Sequence, residues 1–504
     1  MTRLLLYGMF SLLLALACAG GHDGGDGGDG SGGDAGTVST SSDGKQDAAS
    51  GSADDEPQIV TAAPIDPTWH TKMWMIAPDN TGTVSEFGFS VSIYGYTIIA
   101  GAPGDKGKGT AFIYKWKDDA IVQESQLFSW DNVGGRFGHS VAISDGNGFY
   151  IAVVGAPYNN LTGAAYVFTR SGNPFLWTQQ QKLAPADGVR EGNFGRSVAV
   201  YNNLMAVSAP YDDDKGTHSG SVYTYRMENG IWVATNKLTA ADGEPYRYYG
   251  TSISMHDEYL AVGVPYENDM GERSGSVYLY HYSRASNTWN YMTKIVAGDG
   301  MTKDYFGQAV SIYKLEGLYA EEVAVGCPND TDMGTGAGSV YIYTDSGRWN
   351  LSRKLFPGNV AVNEMAGSSV SFNKNMLVMG SSGERQGYGF GAAYIFKRSG
   401  YNNSKWEEAA RLTSPQRVMG AQYGFSVAVN NLNNMIAIGA PGEYPKGADS
   451  GALYVYYQKP PPLGANIRSM LGRRTTLFIA IGAGVLAIGI IGAVAVIRRR
   501  RKSA

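Results

Sequence analysis

The sequence predicts an all-β fold: a seven-bladed β-propeller, with one C-terminal transmembrane helix after it. Three observations predict it. Three linked signatures recur seven times, at a spacing of 50–60 residues. Within each copy the apolar residues alternate in the period of a strand. Near the C-terminus, residues 475–497 carry no charge. A repeat of this length is one supersecondary unit that buries its faces only by stacking on its neighbours.

The first signature reads "EFGFSV" from Glu86, "RFGHSV" from Arg136, "NFGRSV" from Asn193, "YYGTSI" from Tyr248, "YFGQAV" from Tyr305, "MAGSSV" from Met365 and "QYGFSV" from Gln422. The second runs "AGAP", "VGAP", "VSAP", "VGVP", "VGCP", "MGSS" and "IGAP", and the third runs from "TAFIY" to "ALYVY". Stretches such as "SVAV", "LMAVSAP" and "SVYTY" are rich in Val and Tyr and alternate with period two, so each copy holds three strands. A fourth strand places Trp six residues before Leu or Ile: Trp177 to Leu183, Trp232 to Leu238, Trp289 to Ile295, Trp349 to Leu355 and Trp406 to Leu412. Four strands in each of seven units make a propeller.

The register predicts how the ring closes. A Trp strand at residues 69–75, Trp69 to Met75, precedes the first copy, while the last copy stops after its third strand, at Tyr456. The early strand is expected to complete the last blade and remove an exposed sheet edge. The first unit has no Trp in its fourth strand, whose expected end is Leu127. The sixth unit has lost both the Phe and the Pro of its signatures and is expected to be the loosest blade. The Phe of each "FG" is expected to wedge between blades, and its Gly to allow a tight entry into the innermost strand.

Composition agrees with short strands and tight turns: the 504 residues include 68 Gly and 33 Tyr, with 17% charged. A formal charge of −4 and the lack of a basic stripe exclude a nucleic-acid partner. Residues 1–19 read as a secretory signal peptide, with Arg3 ahead of an apolar run and small residues after it. The alternative is a bacterial lipoprotein signal with Cys18 lipidated, which would make this an envelope protein. Once the leader is cut, Cys327 is the cysteine that remains, so no disulfide framework is expected. Sequons at Asn160, Asn329, Asn350 and Asn402 are candidate glycosylation sites.

Residues 20–58 are a disordered linker rich in Gly, Asp and Ser. The propeller covers 65–458, and 459–474 form a Pro-containing stalk. The 23 residues of 475–497 span roughly 34 Å as a helix, enough for a bilayer core. "RRRRK" follows in the basic tail, residues 498–504, and places that end in the cytosol despite Arg468, Arg473 and Arg474 on the other flank. A single-pass type I protein with an extracellular propeller is the expectation. Small pairs at Ala480/Gly484 and Gly489/Ala493 leave a dimer through this helix open.

On its repeated signatures the chain resembles the FG-GAP repeat family, best known from the N-terminal propeller of integrin α subunits. The resemblance covers about residues 65–458 and implies the fold more firmly than the function. Integrin propellers carry calcium on Asp-x-Asp-x-Asp-Gly hairpins between their first and second strands. Here those hairpins do not fit; the nearest, Asp145-Gly146-Asn147-Gly148, has too few oxygens for a cage of six to eight. No family-type metal site or cofactor is therefore expected. The leg domains of integrins, their Gly-Phe-Phe-Lys-Arg tail and an inserted ligand domain are also missing from the sequence.

The loops between second and third strands are Gly-rich and mostly acidic, as in "PYDDDKGTHSG". The fourth-to-first connections lie on the same rim and add Asp79, Asp131, Asp187, Asp242 and Asp299. In integrins this face meets ligand and partner subunit. The candidate ligand-binding residues are accordingly Tyr211, Asp212, Asp213, Asp214, Tyr266, Glu267, Asp269, Asp330 and Asp332. Plain turn chemistry is the competing account of the same residues. The aspartates offer Ca²⁺ at most a weak hold, because adjacent carboxylates cannot all point at one ion.

No catalytic residue is expected. The six His do not recur, and His139 and His218 have no Ser, Cys or carboxylate partner that the sequence identifies. The expected function is adhesion or recognition of an extracellular protein or glycan at the cell surface. The alternative is a surface coat or scaffold component without a specific ligand, and a hydrolase acting on a surface anchor is less favoured.

Overall fold

Among the described residues, twenty-eight strands form seven antiparallel sheets of four. The structure is a computed structural model that describes residues 72–458, apart from 79–80, 83, 147, 172–175, 186, 188–189, 316–319, 384–388, 400–404, 431 and 433–434. The expected leader, linker, stalk, membrane span and tail lie outside the described residues, as do Trp69, Asp79 and Asn402. Among the described residues no helix is long and apolar enough to cross a membrane.

Blade 1 holds β2 (Ser90–Tyr94), β3 (Thr97–Ala102), β4 (Thr110–Lys117) and β5 (Ala120–Leu127). Blade 2 holds β6 (Ser140–Asp145), β7 (Tyr150–Ala156), β8 (Ala164–Ser171) and β9 (Leu176–Leu183). Blade 3 is β10 (Val198–Tyr201) to β13 (Ile231–Leu238), blade 4 is β14 (Ser252–His256) to β17 (Thr288–Ile295), and blade 5 is β18 (Ala309–Leu315) to β21 (Trp349–Leu355). Blade 6 runs from β22 (Ala366–Phe372) to β25 (Lys405–Leu412). Blade 7 takes β26 (Ser426–Val429), β27 (Met435–Ala440) and β28 (Ala452–Tyr457), with β1 (Lys72–Ile76) as its outermost strand. The N-terminal strand therefore closes the ring as the sequence predicts. Leu127 ends β5 and is buried, again as expected.

The register of the closing strand corrects one expectation. Ile76 pairs with Leu453, and it is Ile76 that packs on the core between blades 7 and 1. Met75 faces out, 39% exposed. In a strand a one-residue shift moves every side chain to the other face, so the strand's inward end is Ile76 and not Met75.

Second strands such as β3, β11 (Leu204–Ala209) and β27 are buried from end to end, because a neighbouring blade covers each face. The aromatic of each "FG" or "YG" is the wedge. Phe87, Phe137, Phe194, Tyr249, Phe306 and Tyr423 are fully buried, except that the sixth copy has Ala366 there. Each also bridges the preceding blade: Phe137 to Gly109, Phe194 to Gly163, and across the closure Phe87 to Gly451. The Ser two places after the Gly then staples the blade to the next one. Ser90, Ser140, Ser252, Ser369 and Ser426 donate to the carbonyls of Gly138, Gly195, Gly307, Gly424 and Gly88 at 2.7–2.9 Å. The second-strand glycines make room for this contact: a Cβ on Gly155 would lie 2.0 Å from the Gly195 oxygen.

The third and fourth strands of blades 1–6 carry a bulge at equivalent positions, as between Thr224 and Tyr225. Bulges increase local twist, which each blade needs as it fans outward from the axis. The sixth blade keeps four strands, but its innermost strand shifts register between Ala366 and Ser369. That is where its signature departs from the others.

Candidate functional site

The loop face is built from one cluster repeated around the ring. In blade 3, Lys237 sits near the end of β13, one residue before the buried Leu238. Its Nζ lies 2.5 Å from Asp187, 3.0 Å from Asp212 and 2.7 Å from Asp214. Asp187 comes from the connection entering the blade, and Asp212 and Asp214 from the loop between its second and third strands. The hydroxyl of Tyr223, on β12 (Ser221–Glu228), lies within hydrogen-bond distance of Asp187 and Asp212. Ser221 also donates to Asp212.

Blade 4 repeats this with Lys294, bonded to Asp242 at 2.9 Å, to Asp269 at 2.7 Å and to Glu267. Blade 5 repeats it with Lys354, 2.7–2.8 Å from Asp299, Asp330 and Asp332. Blade 2 keeps Lys182 on Asp131, with Asn159 in place of one acid. Blade 6 substitutes Arg411, which pairs with Glu364.

These contacts settle the question raised by three aspartates in a row. Asp212 and Asp214 share one lysine. Asp213 turns away, and its carboxylate accepts the backbone N–H of His218 at 2.7 Å. Two of these sets, Asp187/Asp212/Asp214 and Asp242/Glu267/Asp269, bring carboxylate oxygens within 4.8 Å of one another. That spacing suits a metal ion, but the cation at the centre is the lysine ammonium. Burial would raise the carboxyls of Asp187, Asp242 and Asp299, yet hydrogen bonds from Lys and Tyr override it and hold them below their usual range. Lys237, Lys294 and Lys354 are held above theirs against their own burial.

The nine candidate ligand residues thus share one rim of blades 3–5 but differ in availability. Asp212, Glu267 and Asp330 are buried within the clusters. Asp214, Asp269 and Asp332 pair with lysine and keep an exposed edge. Tyr211 and Tyr266 are half-buried.

Those two tyrosines belong to an aromatic run that sequence reasoning missed. Tyr246, His218, Tyr211, Tyr248, Tyr266 and Tyr305 follow one another with ring centroids 4.9–5.8 Å apart. The second-to-third-strand loops of blades 3 and 4 and the connections into blades 4 and 5 each contribute. Arg273 stands 5.8 Å over the Tyr266 ring. Tyr246 is 55% exposed, so the run starts in solvent and ends at the buried Tyr305. The signal was a second aromatic just before the wedge: "YYG" and "YFG".

The other expected residues are placed as follows. Asn160 and Asn350 are exposed, and the Asn329 amide donates to the Lys303 carbonyl. Among the described residues the imidazoles of His139 and His218 are bonded to no Ser, Cys or carboxylate; His139 meets Arg196, and His218 packs among tyrosines.

The FG-GAP repeat family matches over residues 70–114, 177–225, 232–280, 289–343 and 406–456. Integrin alpha-D of Homo sapiens is 26% identical over 248 residues, 45% of this chain and 21% of that protein. Integrin alpha-7 of Mus musculus is 31% identical over 175 residues, 31% of this chain and 14% of that protein. Integrin alpha-3 of Mus musculus is 29% identical over 148 residues, 27% of this chain and 13% of that protein. The chain spans about a fifth or less of the length of these relatives. Their likeness points to adhesion or recognition in general, and it fits a protein that is not an enzyme.

Proposed function

The chain is a propeller of FG-GAP repeats of the integrin α N-terminal type, and from that premise we propose that it is a single-pass cell-surface protein whose loop face recognises an extracellular protein or glycan. The observation that carries this reading is the aromatic run from Tyr246 to Tyr305. The ring fold is held by buried wedges and staples elsewhere, so these rim rings are surplus to it. Surface tyrosines present large, stiff contact area at small entropic cost. The lysine-centred clusters hold the loops beneath them in place, which gives the run a fixed shape before any ligand arrives. Of the candidate ligand residues, Tyr211 and Tyr266 make the contact, and the outer edges of Asp213, Asp214 and Asp269 border it.

The test is binding of the full-length chain to arrays of glycans and extracellular proteins, with Tyr211→Ala and Tyr266→Ala as variants. Tyr158→Ala is the control: Tyr158 holds the same loop position in blade 2 and is 53% exposed, outside the aromatic run. The expected result is a hit lost in the first two variants and kept in the control. A hit indifferent to all three would sink the reading. Protease shaving of intact cells, with antibodies to each end, tests the topology: the propeller is expected to be lost and the tail retained.

A further inference from the structure

One residue in each repeat, the one after the signature Gly, points at the axis on the loop face. In order these are Phe89, His139, Arg196, Thr251, Gln308, Ser368 and Phe425, and they line a cavity of about 680 Å³. They are not alike. Phe89 and Phe425 pack 4.8 Å apart on one side, Thr251, Gln308 and Ser368 bring hydroxyls and an amide on the other, and His139 and Arg196 lie between.

Arg196 is the feature that needs an account. The other cations close to the cavity and its rim are matched: Arg136 pairs with Glu86, Arg247 with Glu244, and the lysines with their acid clusters. Arg196 forms no ion pair with a carboxylate among the described residues. Its Nη1 donates to His139 Nε2 at 2.5 Å. A guanidinium is always a donor, so His139 is the neutral tautomer with its proton on Nδ1. That buried Nδ1–H has no hydrogen-bond partner, and the His139 side chain is only 8% exposed. Burial, then Arg196 and Arg136, push its pKa down to about 3, so the imidazole adds no charge.

The remaining charges at this mouth are Glu86, already on Arg136, and the exposed Asp449. The acid clusters lie in the loops and connections, each around its own lysine at the end of a fourth strand. Asp449 has no ion pair among the described residues either, but it lies toward Glu86 on the blade 7 side, and Arg196 is left as the cation without a carboxylate in this partly apolar cavity.

We propose that the axial mouth of the loop face is a binding site for a carboxylate, held by Arg196, with His139 as its positioning residue and Phe89 and Phe425 against the carbon skeleton. A guanidinium takes a carboxylate through two parallel hydrogen bonds. The cavity admits either an acidic side chain of a protein partner or a sugar acid. The site rests on the recognition reading only for the choice of face.

The experiment titrates the full-length chain with N-acetylaspartate and with glucuronate by ligand-observed NMR and calorimetry, each against its uncharged counterpart, N-acetylasparagine and glucose. At least one acid is expected to bind, at least tenfold more tightly than its neutral partner and more weakly as salt rises. Which acid binds better identifies the source. Arg196→Gln is expected to lose at least tenfold, and Arg196→Lys less, with melting temperatures unchanged. On binding, the His139 imidazole pKa is expected to rise, because the carboxylate offsets the neighbouring guanidinium. A purely structural Arg196 would not produce that rise. Equal binding of acid and neutral probes, wild-type binding by Arg196→Gln, or no binding by about 10 mM probe overturns the proposal. Tyr211→Ala is expected to leave probe binding intact, so failure here and failure of the aromatic run are separable.

Discussion

Lys354 Nζ lies 2.8 Å from Asp330 Oδ2, with the two side chains 5% and 3% exposed. Asp299 and Asp332 complete its shell, and the Tyr341 ring lies 4.6 Å away. Removing one partner of a buried pair strands the other, at about 3–5 kcal/mol. Lys354→Met is therefore expected to lower stability by about that much, read from the urea midpoint. Lys237→Met is expected to cost less, because Lys237 is 21% exposed and water shares its charge.

A lysine at the centre of three carboxylates occupies the place a divalent cation would take. EDTA is expected to leave the wild-type melting temperature unchanged. Lys237→Ala leaves Asp187, Asp212 and Asp214 with oxygens within 4.8 Å of one another. That arrangement suits Ca²⁺, which bonds oxygens at about 2.3–2.6 Å. Millimolar calcium is expected to restore part of the lost stability in the variant and none in wild type. Calorimetry with and without calcium decides it.

The lysines also show where sequence reading stopped. The Leu or Ile ending each fourth strand was legible, and with it the blade count and the ring closure. Residues one place earlier, Lys182, Lys237, Lys294, Lys354 and Arg411, carried the missing signal. In a strand they read as solvent-side charges, and only the fold brings each to acids 22–55 residues away. The same distance hid the aromatic run, whose members come from four separate loops and connections. Arg196 was visible as the odd residue in "FGRSV", but its lack of a carboxylate is a fact of three dimensions. The slip at Met75 has a local cause: the closing strand is a short lone strand, with no second copy to fix its phase.

The closing strand should be sensitive at one position and tolerant at the next. Ile76 pairs with Leu453 and packs on the core between blades 7 and 1, while Met75 is 39% exposed. Ile76→Ala is expected to cost about 1–2 kcal/mol, short of the roughly 2–5 of a fully buried site. Met75→Ala should stay within about 0.5 kcal/mol. Denaturant melts of both variants test the register, and the reverse order would mean the strand pairs one residue out of phase.

Close approach between blades makes some glycines irreplaceable by Ala. In Gly155→Ala the new Cβ would meet the Gly195 carbonyl at 2.0 Å, backbone that cannot yield without breaking the Ser140 staple. A loss of about 1–3 kcal/mol or more is expected. Blade 3 shows the accommodated case: Ser208 holds the equivalent place, and its hydroxyl takes the Ser197 amide instead. Gly298→Ala is the matched control, since nothing lies within 4 Å of its Cβ direction. It should be neutral or slightly stabilising in the same denaturant series.

Asp304 gives a pH dependence of the opposite sign to the lysine-bound acids. It is buried at 4% exposure in the connection into blade 5, and its Oδ2 accepts the Met301 N–H at 2.7 Å. Burial raises its pKa to about 6; the Met301 bond opposes this, and nearby Asp330 adds to it. An unfolded Asp titrates near 3.9, at roughly the value of a free side chain. Between these values the folded state binds more protons, so this group's contribution to stability falls as pH rises through that window. Above pH 6 the folded state carries a buried charge that costs roughly 2–3 kcal/mol relative to the same carboxylate in the unfolded chain. Asp304→Asn keeps an acceptor for the Met301 N–H and removes the charge. It is expected to raise stability by about 1–3 kcal/mol at pH 7.5 and to give no gain at pH 4, measured by urea unfolding at both. An equal gain at both pH values would mean that charge burial is not the cause.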